Sequence, residues 1–373
     1  MARLGLGQKD ILPLWFGETD LVTPAFIRDA AKRALDEGQT FYTFPNGIPR
    51  LRQAVADYTK RFTGATIDLQ RISIPGSAMM AVMLSLECLL DTGDNIVVVA
   101  PVWPPIFQAA RVAGGEPRLV TLDRHPHDSR WHLNLDKVFA ACDARTKAIY
   151  VNSPGNPSGW VMSHEEQKAL LNGCRQRGLA IVADEVYGPL VYDAKHAPTF
   201  AQIATDDDNV FIVNSFSKAW AMTGWRIGWL IAPKSLYHEI AELCVVNNTG
   251  SATFAQYGAI AALEDGDPFI AEMVARCKKG RDIVDEFVRS HNRLSWAKPE
   301  GAFYAFIEVE GLTDSVKFAK DLLINARVGV APGAAFGARG DKFNDKYIRI
   351  CFAQDQKRLT EALGRIGGAI DRI

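Results

Sequence analysis

The chain has 373 residues, 48% of them hydrophobic and 23% charged, with a formal net charge of −1. It is long enough for two domains, or one large domain with an appendage, around a sizeable core, and its charge balance excludes a global field for nucleic acid or an anionic membrane. No apolar run reaches the ~18 residues of a membrane span, and the six cysteines, at 88, 142, 174, 244, 277 and 351, stand apart with no CxxC pair, which argues against a structural zinc or a disulfide framework and fits a reducing cytoplasm.

Residues 1–20 read as an irregular arm without the apolar core and cleavage site of a signal peptide. Residues 24–38 have proline near the start, helical spacing and a closing glycine, which predicts a helix. An aromatic loop follows at 41–49, then a second amphipathic helix over 51–64 that ends on glycine. From residue 72 short Val- and Ile-rich runs alternate with helical stretches. The runs are 72–74, 96–99, 118–122, 148–151, 180–183, 210–213 and 227–231. Such alternation predicts an α/β architecture with a mainly parallel, buried sheet. Functional residues should then collect beyond the strand carboxyl ends. A long helix over 268–291 leads to strands at 302–309 and 347–352 and helices near 315–325 and 357–373. The expected division is a large domain of residues 41–270 and a smaller α+β domain built from 1–40 and 271–373.

The sequence SFSKAWAMTGWRIG at 215–228 carries the first chemical signal. Lys218 follows a strand run in an apolar, tryptophan-rich setting. Desolvation there disfavours the ammonium and frees a neutral amine for a Schiff base. Ser215, Ser217 and Arg226 are the hydroxyls and guanidinium a phosphate monoester needs. A lysine beside a phosphate site suggests pyridoxal phosphate. Asp184, in ADEVYG at 183–188, either caps a turn or keeps a pyridine nitrogen protonated. NSPGNPSG at 152–159 places Asn156 after a strand, with an amide to donate to a ring or carboxylate oxygen. PGSAMMAV at 75–82 offers backbone amides at a helix start, a phosphate cradle or a plain cap. Trp103, in APVWPPIF, is either a core tryptophan or a ring-stacking one. Arg349, in the apolar strand YIRICFA, needs a partner, either an internal carboxylate or a substrate carboxylate. Histidines 125, 127 and 132 lie together without matching cysteines or carboxylates and read as a surface loop rather than a metal site.

In this order and spacing, NSPGNPSG, ADEVYG, SFSKAWAMTGWRIG and YIRICFA resemble the class I/II aminotransferases, the fold-type-I pyridoxal-phosphate enzymes related to aspartate and aromatic aminotransferases. The resemblance runs from about Leu14 to the end. It implies Lys218 as Schiff-base lysine and proton shuttle, and Asp184 as the pyridinium partner. Tyr187 and Asn156 become donors to the ring oxygen, with Asn156 also near the substrate carboxylate. Ser215, Arg226 and the backbone of Ser77 and Ala78 become phosphate ligands, and Trp103 the stacking aromatic. It implies Arg349 as the α-carboxylate clamp with Gly17 beside it, and Tyr42 as a tyrosine reaching the neighbouring subunit's phosphate. A homodimer with shared sites follows, acting on an amino acid and a 2-oxo acid in the cytoplasm.

No second arginine is identifiable for a side-chain carboxylate. Trp15, Phe16, Phe41, Met79 and Trp103 are expected on the substrate side, favouring an apolar or aromatic amino acid. The expected reaction is ping-pong transamination. A carbon–sulfur lyase on the same scaffold is the first alternative, and a non-catalytic binding protein of this fold the second. A dinucleotide-binding oxidoreductase lacks its G-x-G-x-x-G turn here.

Overall fold

The computed structural model describes residues 7, 8, 10–124, 130–337, 340 and 342–372. Within the arm, β1 (Leu12–Pro13) is a strand of only two residues. The seven Val- and Ile-rich runs all form strands: β2 (Ile72–Gly76), β3 (Asn95–Ala100), β4 (Glu116–Thr121), β5 (Thr146–Asn152), β6 (Ala180–Asp184), β7 (Val210–Ser215) and β8 (Gly228–Ile231). They make one seven-stranded sheet in the order β2-β8-β7-β6-β5-β3-β4. All neighbours in it are parallel except β8, which runs antiparallel to β2 and β7. Helices cover both faces, so every residue of β3, β6 and β7 is buried. That explains why these strands read as continuous apolar runs rather than alternating ones. The edge strand β4 is only partly buried.

This topology sets the site. The carboxyl ends of β3, β5, β6 and β7 lie along one edge of the sheet. Because β8 is antiparallel, its first residue, Gly228, pairs with Ser215 at that same edge and with Gly76 of β2. A Cβ on Gly228 would stand 2.6 Å from the Asn214 carbonyl and 2.8 Å from the Ala78 amide. Only glycine lets the start of the helix Ala78–Glu87 approach the strand ends so closely.

The remaining strands are β9 (Leu294–Trp296), β10 (Tyr304–Val309), β11 (Val328–Gly329), β12 (Ala331–Pro332) and β13 (Tyr347–Cys351). Four of them form an antiparallel sheet in the order β12-β13-β10-β9. The helices Asp267–Arg289 and Gln356–Ile370 pack on each other, and the first of them also lies on β9 and β10. The predicted helix near 315–325 is α-helical over Ser315–Asp321 and continues as π-helical turns over Leu322–Ala326. The arm differs from the irregular segment expected. β1 pairs in parallel with β11, and the Leu14 carbonyl accepts from the Cys351 amide. The helix Ala25–Asp36 packs instead on the helix Thr253–Asp265.

Among the described residues no helix is long and apolar enough to cross a membrane, and no cluster of three or more His, Cys, Asp or Glu is arranged to hold a metal ion. Of the three neighbouring histidines, His125 and His127 lie outside the described residues. His132 forms a backbone bridge with Asp123.

Candidate active site

A cavity opens at the carboxyl ends of the parallel strands, where a sheet of this topology places its ligand site. It is lined by Ala78, Trp103, Asn156, Asp184, Tyr187, Ser215, Lys218 and Arg226. These residues lie up to about 150 positions apart in sequence. Crossovers of a parallel sheet bring them to one edge.

Lys218 stands just beyond β7. Its Nζ donates to the Gly17 carbonyl at 2.6 Å, so the arm reaches the site. Burial pushes the amine from 10.5 down to about 8, and the Arg349 and Arg226 charges push the same way. An amine near 8 loses its proton far more readily at neutral pH than an ordinary lysine does.

Asp184 ends β6 and is buried. Burial raises its carboxyl from 3.8 to about 6, against the pull of its hydrogen bonds and of the Lys218 charge. The Tyr150 hydroxyl donates to Oδ2 at 2.7 Å and the Val186 amide to Oδ1 at 3.3 Å. A buried carboxylate so placed favours a cationic partner in the cavity. The carboxylate also caps a turn, since Oδ1 takes the Val186 amide there and no helix begins at this point, and that bond leaves the charge facing the cavity.

Asn156 and Arg349 form one unit. Arg349 Nη1 donates to Asn156 Oδ1 at 3.1 Å, and Nη2 donates to the Trp15 carbonyl. The guanidinium carbon lies 4.6 Å from the Tyr304 ring centre and 5.2 Å from that of Phe336. No carboxylate among the described residues pairs with this buried arginine, so the internal salt bridge weighed from sequence is not formed. The cost of burying a lone guanidinium is offset when a carboxylate ligand arrives. With its oxygen engaged by Arg349, Asn156 keeps its NH₂ for a ligand. Tyr187 is buried, and its hydroxyl lies 2.6 Å from that of Tyr304.

Hydroxyls and amides gather at the other end. Ser77 caps the helix Ala78–Glu87, its Oγ accepting from the Met80 amide at 3.2 Å. The first-turn amides have no intrahelical acceptor and suit an anion. Ser215 Oγ accepts from the Ser217 amide at 3.1 Å. Arg226 holds a left-handed φ of 53°, an uncommon conformation for a residue with a Cβ. Its Nη1 donates to the Thr223 carbonyl at 2.6 Å, and both residues line the cavity.

Ser77, Gly17 and Arg349 adjoin the cavity without lining it. Tyr42 stands apart. It is 89% exposed and belongs to a surface groove with Phe41 and the 248–254 loop. Of the five residues expected on the substrate side, only Met79 and Trp103 line the cavity. The Trp15 ring packs with Ile11 and Leu323 against Gly329, because β1 turns that side chain into the β1–β11 contact. Phe16 and Phe41 are exposed. Ser217, read from the sequence with Ser215 as a phosphate hydroxyl, lines the cavity too, and so do Asn152, Val186 and Thr223, which the sequence does not single out. Tyr150 too went unnoticed. The signal for it was strand register, since Asn152 pairs with Asp184 and Tyr150 sits two residues before Asn152 on the same face.

The donor set fits pyridoxal phosphate: an amine of lowered pKa, a buried acid across the cavity, an aromatic wall, and hydroxyls, amides and an arginine at one end. Comparison with known proteins agrees. A family model described as aminotransferase class I and II matches residues 9–366. A probable aspartate/prephenate aminotransferase of Aquifex aeolicus is 37% identical over 98% of this chain and 92% of its own length. An aspartate aminotransferase of Pyrococcus horikoshii is 34% identical over 97% of this chain and 91% of its own. Among solved structures, an aromatic aminotransferase from Pyrococcus horikoshii superposes with a TM-score of 0.90 at 32% identity, covering 99% of this chain and 98% of that one. With the fold, the lysine–aspartate pair and the phosphate end in agreement, the chain belongs to the class I and II aminotransferases and is a pyridoxal-phosphate-dependent enzyme of that family.

Proposed function

We propose that this aminotransferase takes L-amino acids with apolar or aromatic side chains as donors, passes the amino group to a 2-oxo acid by a ping-pong route, and works in the cytoplasm as a homodimer with shared sites. The observation that carries the substrate class is the cavity wall. Met79, Val82, Trp103 and Val186 supply apolar surface, and Lys218 and Arg226 are the only lysine and arginine among the lining residues. Both are committed elsewhere, so a side-chain carboxylate finds no cation in this chain's wall. The dimer reading draws support from Phe41, Tyr42 and Phe44, neighbours in one loop and all more than 60% exposed. An exposed apolar patch of that kind marks an interaction surface.

When bound, pyridoxal phosphate supplies a ring that delocalises the electron pair left by a breaking Cα–H bond. Asp184 holds the proton at the ring nitrogen by its charge. Asn156 and Tyr187 donate to the ring oxygen. Ser215, Arg226 and the amides of Ser77 and Ala78 hold the phosphate. Arg349 exchanges the Trp15 carbonyl for the substrate carboxylate and so fixes the Cα. Lys218 Nζ takes the α-proton and carries it across the site. Its lowered pKa suits that base role near neutral pH. Trp103 and Met79 exclude water from the reacting face.

The test is an amino-acid panel added to the holoenzyme without acceptor, following loss of the cofactor's visible absorption band. Aromatic and large apolar L-amino acids should bleach it at lower concentrations than L-aspartate. Aspartate, the substrate in the names of several relatives, bleaching at the lowest concentration overturns the substrate class. Release of ammonia or thiol without keto-acid dependence revives the lyase reading, which none of the compared relatives' names favours.

A further inference from the structure

Tyr304 was not singled out by the sequence, where it reads as one more aromatic in an apolar strand. It opens β10 and is fully buried. Three parts of the site meet on it. Its hydroxyl lies 2.6 Å from the Tyr187 hydroxyl. Its ring face carries the Arg349 guanidinium at 4.6 Å. Its oxygen also packs so closely on Gly17 that a Cβ there would collide with it.

Each phenol has one proton to donate. If Tyr187 gives its proton to the cofactor's ring oxygen, it has none for Tyr304, and the 2.6 Å contact is then made by Tyr304 donating to Tyr187. A hydroxyl that accepts one hydrogen bond becomes a better donor in the next. The ring contacts fix the geometry further. Tyr187 is held edge-to-face by Phe303 at 5.4 Å and by Tyr304 at 5.6 Å. Arg349 is diagonal to Tyr304 across the β10–β13 pair, since Phe306 faces Arg349 and Tyr304 faces Cys351. Its Nε has no partner, so the rings of Tyr304 and Phe336, together with the bonds at the two terminal nitrogens, define its orientation.

We propose that Tyr304 is a positioning residue that acts through two others: its hydroxyl orients and polarises the Tyr187 hydroxyl toward the cofactor's ring oxygen, and its ring seats Arg349 for the substrate carboxylate. The proposal rests on the reading that Tyr187 donates to that ring oxygen.

Tyr304→Phe keeps the ring and deletes the hydroxyl. Donation to the ring oxygen favours the deprotonated chromophore, so the pH midpoint of the holoenzyme's visible band should rise by a few tenths of a unit, a 10–30% weakening of a charge-assisted bond. KM for amino acids should stay near the wild-type value. Tyr304→Ala also removes the platform and should raise KM roughly tenfold for donors of every side-chain type, the scale of a desolvated cation–π contact. A packing role alone would leave the Tyr304→Phe midpoint where it is. Tyr187→Phe serves as the reference. If it moves the midpoint and Tyr304→Phe does not, the proposal for Tyr304 is wrong while the Tyr187 reading stands. If Tyr187→Phe leaves the midpoint unmoved, both fall.

Discussion

Asp184 shows at the scale of one residue how the site costs the fold stability. Burial raises its carboxyl from 3.8 to about 6, so between those values the folded chain binds a proton that the unfolded chain has released. Stability of the cofactor-free protein therefore falls as pH rises through that window and stays lower above it. The ~2-unit rise corresponds to a few kcal/mol at ~1.36 kcal/mol per unit. Asp184→Asn keeps an oxygen for the Tyr150 hydroxyl and removes the charge. In thermal melts of cofactor-free protein, the variant should be more stable than the wild type at pH 8, with the advantage gone at pH 4. Turnover of the loaded enzyme should fall at least ~100-fold, the scale of losing one preorganised electrostatic contact. A variant no more stable at pH 8 contradicts the buried-charge account. Lys218 and Asp184 were legible in the sequence because each is a polar residue at or just past the end of an apolar strand run. Tyr150 and Tyr304 were not, because a tyrosine within a strand looks the same whether it meets the core or a catalytic group.

The elements were legible wherever burial wrote a long enough pattern. All seven strands of the large sheet stand within two or three residues of their apolar runs, since helices on both faces demand unbroken Val and Ile. β1 escaped because two residues carry no period. Its consequence was larger than its length, for it decides that the Trp15 ring leaves the site while the Trp15 and Gly17 carbonyls meet Arg349 and Lys218. The Gly–Ser–Ala start at 76–78 posed a choice between a plain cap and a phosphate cradle, and the structure shows the cap directly. The two roles separate by substitution. Ser77→Ala loses the bond to the Met80 amide and should cost about 1 kcal/mol in urea unfolding, whereas Ser77→Gly should cost only a few tenths. If the backbone alone serves the phosphate, Ser77→Gly should bind pyridoxal phosphate as tightly as the wild type. A tenfold loss of affinity in Ser77→Gly would assign the phosphate contact to the hydroxyl.

Across the whole molecule, Tyr42 is the residue whose proposed role a single chain cannot fulfil. It is almost fully exposed, beside Phe41, Phe44 and the 248–254 loop, and it lines no part of the cavity around Lys218. Under the shared-site proposal, each cavity is completed by Tyr42 from the other subunit. Two inactive variants then complement each other in a predictable way. In a hybrid dimer of Lys218→Ala and Tyr42→Ala subunits, one cavity lacks both groups. The other has Lys218 from its own chain and an intact Tyr42 from its neighbour. Hybrids purified through two different affinity tags should therefore recover about half the wild-type turnover per dimer, although both parent homodimers are impaired. If Tyr42 serves its own chain, every cavity of the hybrid lacks one group and activity stays at the level of the parents. Sedimentation at the mass of one 41.0 kDa chain would remove the premise altogether. The experiment therefore tests the assembly and the assignment of Tyr42 together, and its outcomes keep them apart.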